Sequence, residues 1–208
     1  MKPLVLACIA FAATIAAAQN IIPPGKKFTP AGEIDMMAGN ENTEKGVRDG
    51  LSYMAWRTDG SAFIQGSPDY SISDPQSVVD GRHWTAKCVR DPMTDETSCY
   101  VGKGQLLIAS GKDGKPSIRL LGEVLVNSPC SIRIDDNKAH SVLAGASCGF
   151  DKTTSARILR EARTGKRVRT QVFTINTPRT VESDMPTFGM PAAIDYLNWA
   201  VSVANKQR

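Results

Sequence analysis

Four cysteines crowded into residues 81–208, Cys88, Cys99, Cys130 and Cys148, constrain the chain's folding more than any other feature. The only other cysteine, Cys8, lies in an apolar leader. Lys2 gives that leader a positive start, Leu4 to Ile15 an apolar run, and Ala16-Ala17-Ala18 a small-residue cleavage site. Residues 1–18 therefore read as a secretory signal peptide cut before Gln19. Val5-Leu6-Ala7-Cys8 looks like a lipoprotein box, but cleavage there would leave almost no apolar run before the cysteine. No later segment approaches the ~18 apolar residues of a membrane span. An even cysteine count in an exported chain predicts two disulfides. Of the three connectivities, nearest-neighbour pairing, Cys88–Cys99 and Cys130–Cys148, is favoured because each pair flanks a turn-rich stretch and fits a hairpin. Each such bridge contributes roughly 3 kcal/mol in the chain-entropy model. A redox or zinc role is disfavoured, since the chain has no Cys-x-x-Cys and only two histidines, His83 and His140.

The charge divides at about residue 80. Residues 19–80 hold five basic and nine acidic side chains; residues 81–208 hold nineteen and twelve. The first part is read as an N-terminal extension and the second as a disulfide-stapled β-rich domain. Prolines and polar turn formers leave residues 19–50 without a sustained period. Leu51–Trp56 and Ala62–Gln65 flank Asp59-Gly60, which predicts a peripheral hairpin. From Gly81 the pattern is period two. Trp84, Ala86 and Cys88 alternate with polar neighbours, and Ile132 and Ile134 flank Arg133. Further strands are expected from Cys99, over Gln105–Ser110, Ser117–Val126, His140–Leu143, Ser147–Phe150 and Arg167–Ile175. A helix is expected over Lys152–Arg163, capped by Asp151 and stopped by Gly165, with Arg157 and Glu161 paired on its wet face. A C-terminal helix starts at Pro191 with Ile194, Leu197, Val201 and Ala204 on one face. The fold class is mainly β, an antiparallel sandwich or barrel-like domain with one or two helices.

Residues 81–205 resemble the invasion-associated locus B family of exported bacterial proteins. The resemblance is carried by Gly81, the WTAKC block Trp84–Cys88, Cys99, the SIRIDDNK block Ser131–Lys138, Cys148, TGKRVRTQVF and the closing FGMPAAIDYL. In that family a Trp-x-x-x-Cys strand, a second cysteine, an Ile-Asp-Asp turn and a terminal segment of small and apolar residues follow in this order. The chain departs from the pattern at Cys130, where the family commonly has Gly, and at Cys148, which stands alone where a close cysteine pair is usual. The resemblance implies an exported, mostly β domain of the envelope or exterior, linked in some relatives to host-cell entry. It brings no catalytic residues.

No His-Glu-x-x-His zinc-protease motif is present. Gly111-Lys-Asp-Gly-Lys115 is too short between its glycines for a phosphate loop and reads as a hairpin turn. Asp135-Asp136-Asn137 lacks the remaining ligands of a calcium loop and also reads as a turn. A Ser–His–Asp triad would have to use His83 or His140, both placed in strand-like patterns where a surface or hydrogen-bonded histidine is the simpler reading.

The least uniform feature is basic. Arg157, Arg160, Arg163, Lys166, Arg167 and Arg169 fall within thirteen residues, interrupted by one acid, Glu161. Such a cluster is either a solvated face or a patch for phosphate, sulfate or carboxylate groups. It lacks the interleaved aromatics that nucleic-acid stacking needs. These readings together predict a periplasmic or secreted, noncatalytic binding or accessory protein with no cofactor. Its partner would be a protein or an anionic envelope or host surface, not nucleic acid. The alternatives are a secreted hydrolase built on His83 or His140, and an inhibitor-like or structural module whose extension exposes Trp56 and Phe63.

Overall fold

A computed structural model describes residues 43–48, 51–56, 61–69, 81–91, 93–110, 113–175 and 179–206. The signal segment 1–18, the rest of the extension to residue 42, and the Asp59-Gly60 turn lie outside them. Among the described residues the strands are β1 (Thr43–Arg48), β2 (Leu51–Trp56), β3 (Ser61–Ile64), β4 (Trp84–Arg90), β5 (Thr97–Lys103), β6 (Leu106–Ser110), β7 (Pro116–Leu120), β8 (Pro129–Ile134), β9 (His140–Leu143), β10 (Cys148–Gly149), β11 (Arg167–Thr174) and β12 (Arg179–Pro186). Two helices accompany them, α1 (Lys152–Thr164) and α2 (Met190–Lys206). The fold is mainly β.

All pairing is antiparallel and falls into two open sheets. The larger runs β1-β2-β3-β4-β5-β6-β7-β10 and the smaller β12-β11-β8-β9. Neither closes into a barrel. Period two produces the inward faces directly: in β5, Thr97, Cys99, Val101 and Lys103 are buried while the residues between them are not. The buried apolar residues of both sheets and both helices form one contiguous core. Helix α2 lies along β4, β5 and β6 and buries Ile194, Leu197 and Val201 there. Each such aliphatic side chain contributes about 1.5–3 kcal/mol.

The two disulfides join the expected pairs, with different structural roles. Cys88 and Cys99 sit directly opposite each other on β4 and β5, within one ladder. Cys130 on β8 and Cys148 on β10 belong to different sheets, so this bond ties the smaller sheet to the larger.

Three expectations are corrected. The hairpin β2–β3 exists, but it is not peripheral. β3 pairs with β4 through Ala62↔Ala86, Phe63↔Thr85 and Ile64↔Trp84, and Ala62, Phe63 and Ile64 are buried. The sheet thus continues across residue 80, and Phe63 is not an exposed docking residue. The strand expected over Ser117–Val126 ends at Leu120, and Val124 returns only as a single bridge to Thr174. Two strands were not expected, β12 and β1, the latter inside the stretch 19–50 read as irregular.

Helix α1 starts as its sequence predicts. The Asp151 carboxylate accepts from the Thr154 N–H at 2.9 Å and from its hydroxyl at 2.6 Å, and these bonds hold its carboxyl below the usual range. Gly165 ends the helix by tight packing, not by a left-handed turn. Its φ is −75°, and a Cβ there would lie 2.4 Å from Ile134 Cγ2. The expected Arg157–Glu161 pair is not the one formed. Glu161 faces the β8–β9 turn instead, bonding Asn137 Nδ2 at 3.2 Å and His140 Nε2 at 3.1 Å.

Candidate functional site

The polar outward face of the smaller sheet collects the most charged side chains. In β8 the burial alternates so that Cys130, Ile132 and Ile134 face the core and Ser131 and Arg133 face outward. In β11, Val168, Thr170 and Val172 are buried, leaving Arg167, Arg169 and Gln171 outward. The register sets Arg169 opposite both Arg133 on β8 and Asp184 on β12. The adjoining row is Ser131, Gln171 and Glu182. Together these two rows line a pocket of about 410 Å³.

Two arginines directly opposite each other across a ladder repel. The β8–β9 turn supplies the counter-charge. Asp136 Oδ1 accepts from Arg169 Nη2 at 3.0 Å and from Arg133 Nη2 at 3.3 Å. Asp135 holds the turn from the other side. Its carboxylate accepts from the backbone N–H groups of Lys166 and Arg167, at 3.0 and 2.8 Å, and its own φ is +48°, a conformation that Asp tolerates. Asp135-Asp136 is therefore a turn, as read from the sequence, and each carboxylate has a separate task. The Nε atoms of Arg133 and Arg169 are buried and have no hydrogen-bond partner.

The six-residue basic cluster is divided. Arg163 pairs with Asp195 of α2 at 3.0 Å. Arg167 grips Asp184 through Nε at 3.0 Å and Nη2 at 2.7 Å, which raises its already high pKa. Arg169 is held by the Asp136 carboxylate and by the Asp135 backbone carbonyl, both accepting from its Nη2. The side chains of Arg157, Arg160 and Lys166 are exposed and form no ion pair among the described residues. Sequence reasoning missed Arg133, Gln171, Glu182 and Asp184 as parts of this face. The one available signal was the alternation of Glu182 and Asp184 with Val181 and Met185.

The histidines are placed apart. His140 is bonded to Glu161 at the start of β9. His83 is 1% exposed just before β4, where its Nδ1 accepts from the Gly66 N–H at 3.4 Å. The Gly66 carbonyl in turn accepts from Lys103 Nζ. Burial pushes the Lys103 pKa down to about 8. Between pH 8 and 10.5 the unfolded chain therefore holds a proton that the folded chain has released. Stability is expected to rise with pH across that window and to carry no Lys103 contribution to its slope below it. Denaturant unfolding of wild type and Lys103→Met at pH 7, 8, 9 and 10 measures this. The difference between the two profiles should be concentrated above pH 8, and parallel profiles would reject the assignment.

Among the described residues, no group of three or more His, Cys, Asp or Glu side chains is placed to hold a metal ion, and no helix is long and apolar enough to cross a membrane. Comparison with protein-family models, curated proteins and solved structures gave no significant match.

Proposed function

We propose that the chain is an exported, noncatalytic binding or accessory protein, periplasmic or secreted, whose partner is an anionic group on the cell envelope or on a host-cell surface. The observation that carries this reading is the set of cations Arg157, Arg160 and Lys166, exposed and unmatched among the described residues, beside a sheet tied down by a disulfide. A framework with two disulfides fits an oxidising compartment and supports the exported reading. Fixed cations on it attract anions without any ordering of the chain. The resemblance of residues 81–205 to the invasion-associated locus B family supports the same location and adds the host surface as a partner.

Binding of this kind is screened. The mature protein is expected to be retained on an anionic resin and on anionic liposomes at low salt, and to be released as salt passes ~0.15 M, where the Debye length is about 8 Å. Arg157→Glu/Arg160→Glu is expected to elute at lower salt with an unchanged melting temperature, because exposed charges contribute little to folding. Equal retention of the two proteins, or none at low salt, would overturn the reading.

A further inference from the structure

We propose that the pocket on the outward face of the smaller sheet binds a sugar acid, a pyranose-sized polyol carrying one carboxylate, and that Asp136, which lies outside the pocket lining, competes with the ligand carboxylate for Arg133 and Arg169. The proposal concerns a different set of residues from the exposed cations above and does not depend on them.

The geometry around Arg133 and Arg169 is that of a carboxylate site already filled from within. Two guanidinium groups stand opposite each other across the β8–β11 ladder, and one carboxylate oxygen of Asp136 lies on both. That carboxylate is 93% exposed, so it leaves the arginines at little cost in burial. Each guanidinium still has an Nε–H that is buried and unbonded. A planar carboxylate entering from the pocket can take two parallel N–H bonds from a guanidinium edge, which the single shared oxygen of Asp136 does not provide.

The rest of the lining selects the ligand. Glu182 and Asp184 sit in the same pocket as the two arginines, so the lining carries as many carboxylates as guanidinium groups. A phosphate dianion would face repulsion from both acids. A monoanion with several hydroxyls gives its carboxylate to the arginines and its O–H donors to the acids. Ser131, whose hydroxyl bonds that of Ser141 at 2.9 Å, and Gln171, whose Nε2 donates to Glu182 Oε1 at 3.0 Å, complete the polar outward lining. The volume of about 410 Å³ falls within the range of small-ligand sites.

The test is titration of the mature, oxidised protein with D-glucuronate, followed by NMR or calorimetry, with D-glucose and inorganic phosphate as comparison ligands. Wild type is expected to bind glucuronate saturably with Kd on the order of 1 mM, as suits a ligand of this size. Glucose and phosphate should bind at least about tenfold more weakly, a difference of about 1.4 kcal/mol. Asp136→Asn removes the internal competitor and should tighten glucuronate binding about tenfold, while Arg169→Gln should abolish it. A melting curve for each variant establishes that it is folded. No saturable binding in either wild type or Asp136→Asn would overturn the proposal. So would phosphate binding as tightly as glucuronate, which would leave a simple anion site, or weaker glucuronate binding in Asp136→Asn. Because salt-dependent retention is scored on Arg157 and Arg160, either result can fail while the other stands.

Discussion

Replacing Cys130 and Cys148 together by alanine is expected to lower stability by about 4 kcal/mol, more than the about 3 kcal/mol expected for Cys88→Ala/Cys99→Ala. The chain-entropy contributions are close, since the bridges span 18 and 11 residues and the dependence on loop length is logarithmic. Position separates them. Cys88 and Cys99 connect strands that already face each other through six register pairs. Cys130 and Cys148 connect two sheets, and both side chains are completely buried between them. Their truncation leaves a void in the seam, and the packing loss adds to the entropic term. A domain of this size has only about 5–15 kcal/mol of stability in total. Urea unfolding of the two double variants under nonreducing conditions measures the order. A larger loss for the Cys88–Cys99 variant would contradict the role assigned to the inter-sheet bond.

Both pairings follow from nearest-neighbour spacing, but the hairpin expected behind them exists only for Cys88–Cys99, whereas Cys130–Cys148 joins strands of different sheets. Local pattern was enough for β4, β8 and β11, whose period-two alternation is strong, and for both helices, each marked by an apolar face and by Asp151 or Pro191 at its start. β12 was not legible for a physical reason. It is an edge strand with a single buried residue, Met185, so most of its length has no strongly apolar face to reveal it. The polar face depends on that strand and on pairings far apart in sequence. Arg133 meets Arg169 only through the β8–β11 register, and Asp184 meets Arg167 only through β12. Six cations within thirteen residues therefore looked like one patch. The carboxylates that divide it come from the β8–β9 turn, from β12 and from α2, and spacing along the chain does not encode them. The burial of the β2–β3 hairpin was hidden in the same way, since its partners, β4 and the residues preceding α2, come later in the chain.

Gly189→Ala is expected to be the most damaging single glycine substitution among those that add only a methyl group, with a loss of about 3 kcal/mol or more. Gly189 has φ +76°, a region that costs an L-residue roughly 1–2 kcal/mol. A Cβ there would also lie 2.1 Å from the Gln65 carbonyl oxygen and 3.1 Å from Trp84 Cδ1. Neither neighbour is free to move. The Gln65 N–H donates to the Ser52 carbonyl at 2.9 Å, and its side-chain oxygen accepts from the Ser52 N–H at 3.2 Å. Trp84 is fully buried, and its indole N–H donates to the Phe188 carbonyl at 3.0 Å. To relieve the clash, either the start of α2 must lift from the sheet or the β2–β3 hairpin must shift. Gly104→Ala separates conformational strain from collision. Gly104 has φ +56°, but a Cβ there would meet only Met185 Cε, at an ordinary 3.6 Å. That variant should lose only about 1–2 kcal/mol. Limited proteolysis adds a local readout, since Gly189→Ala should expose cleavage sites in residues 51–69 well before the rest of the domain unfolds. Equal losses in the two variants, with no early cleavage of the hairpin, would mean that the segment after β3 is not seated against the start of α2.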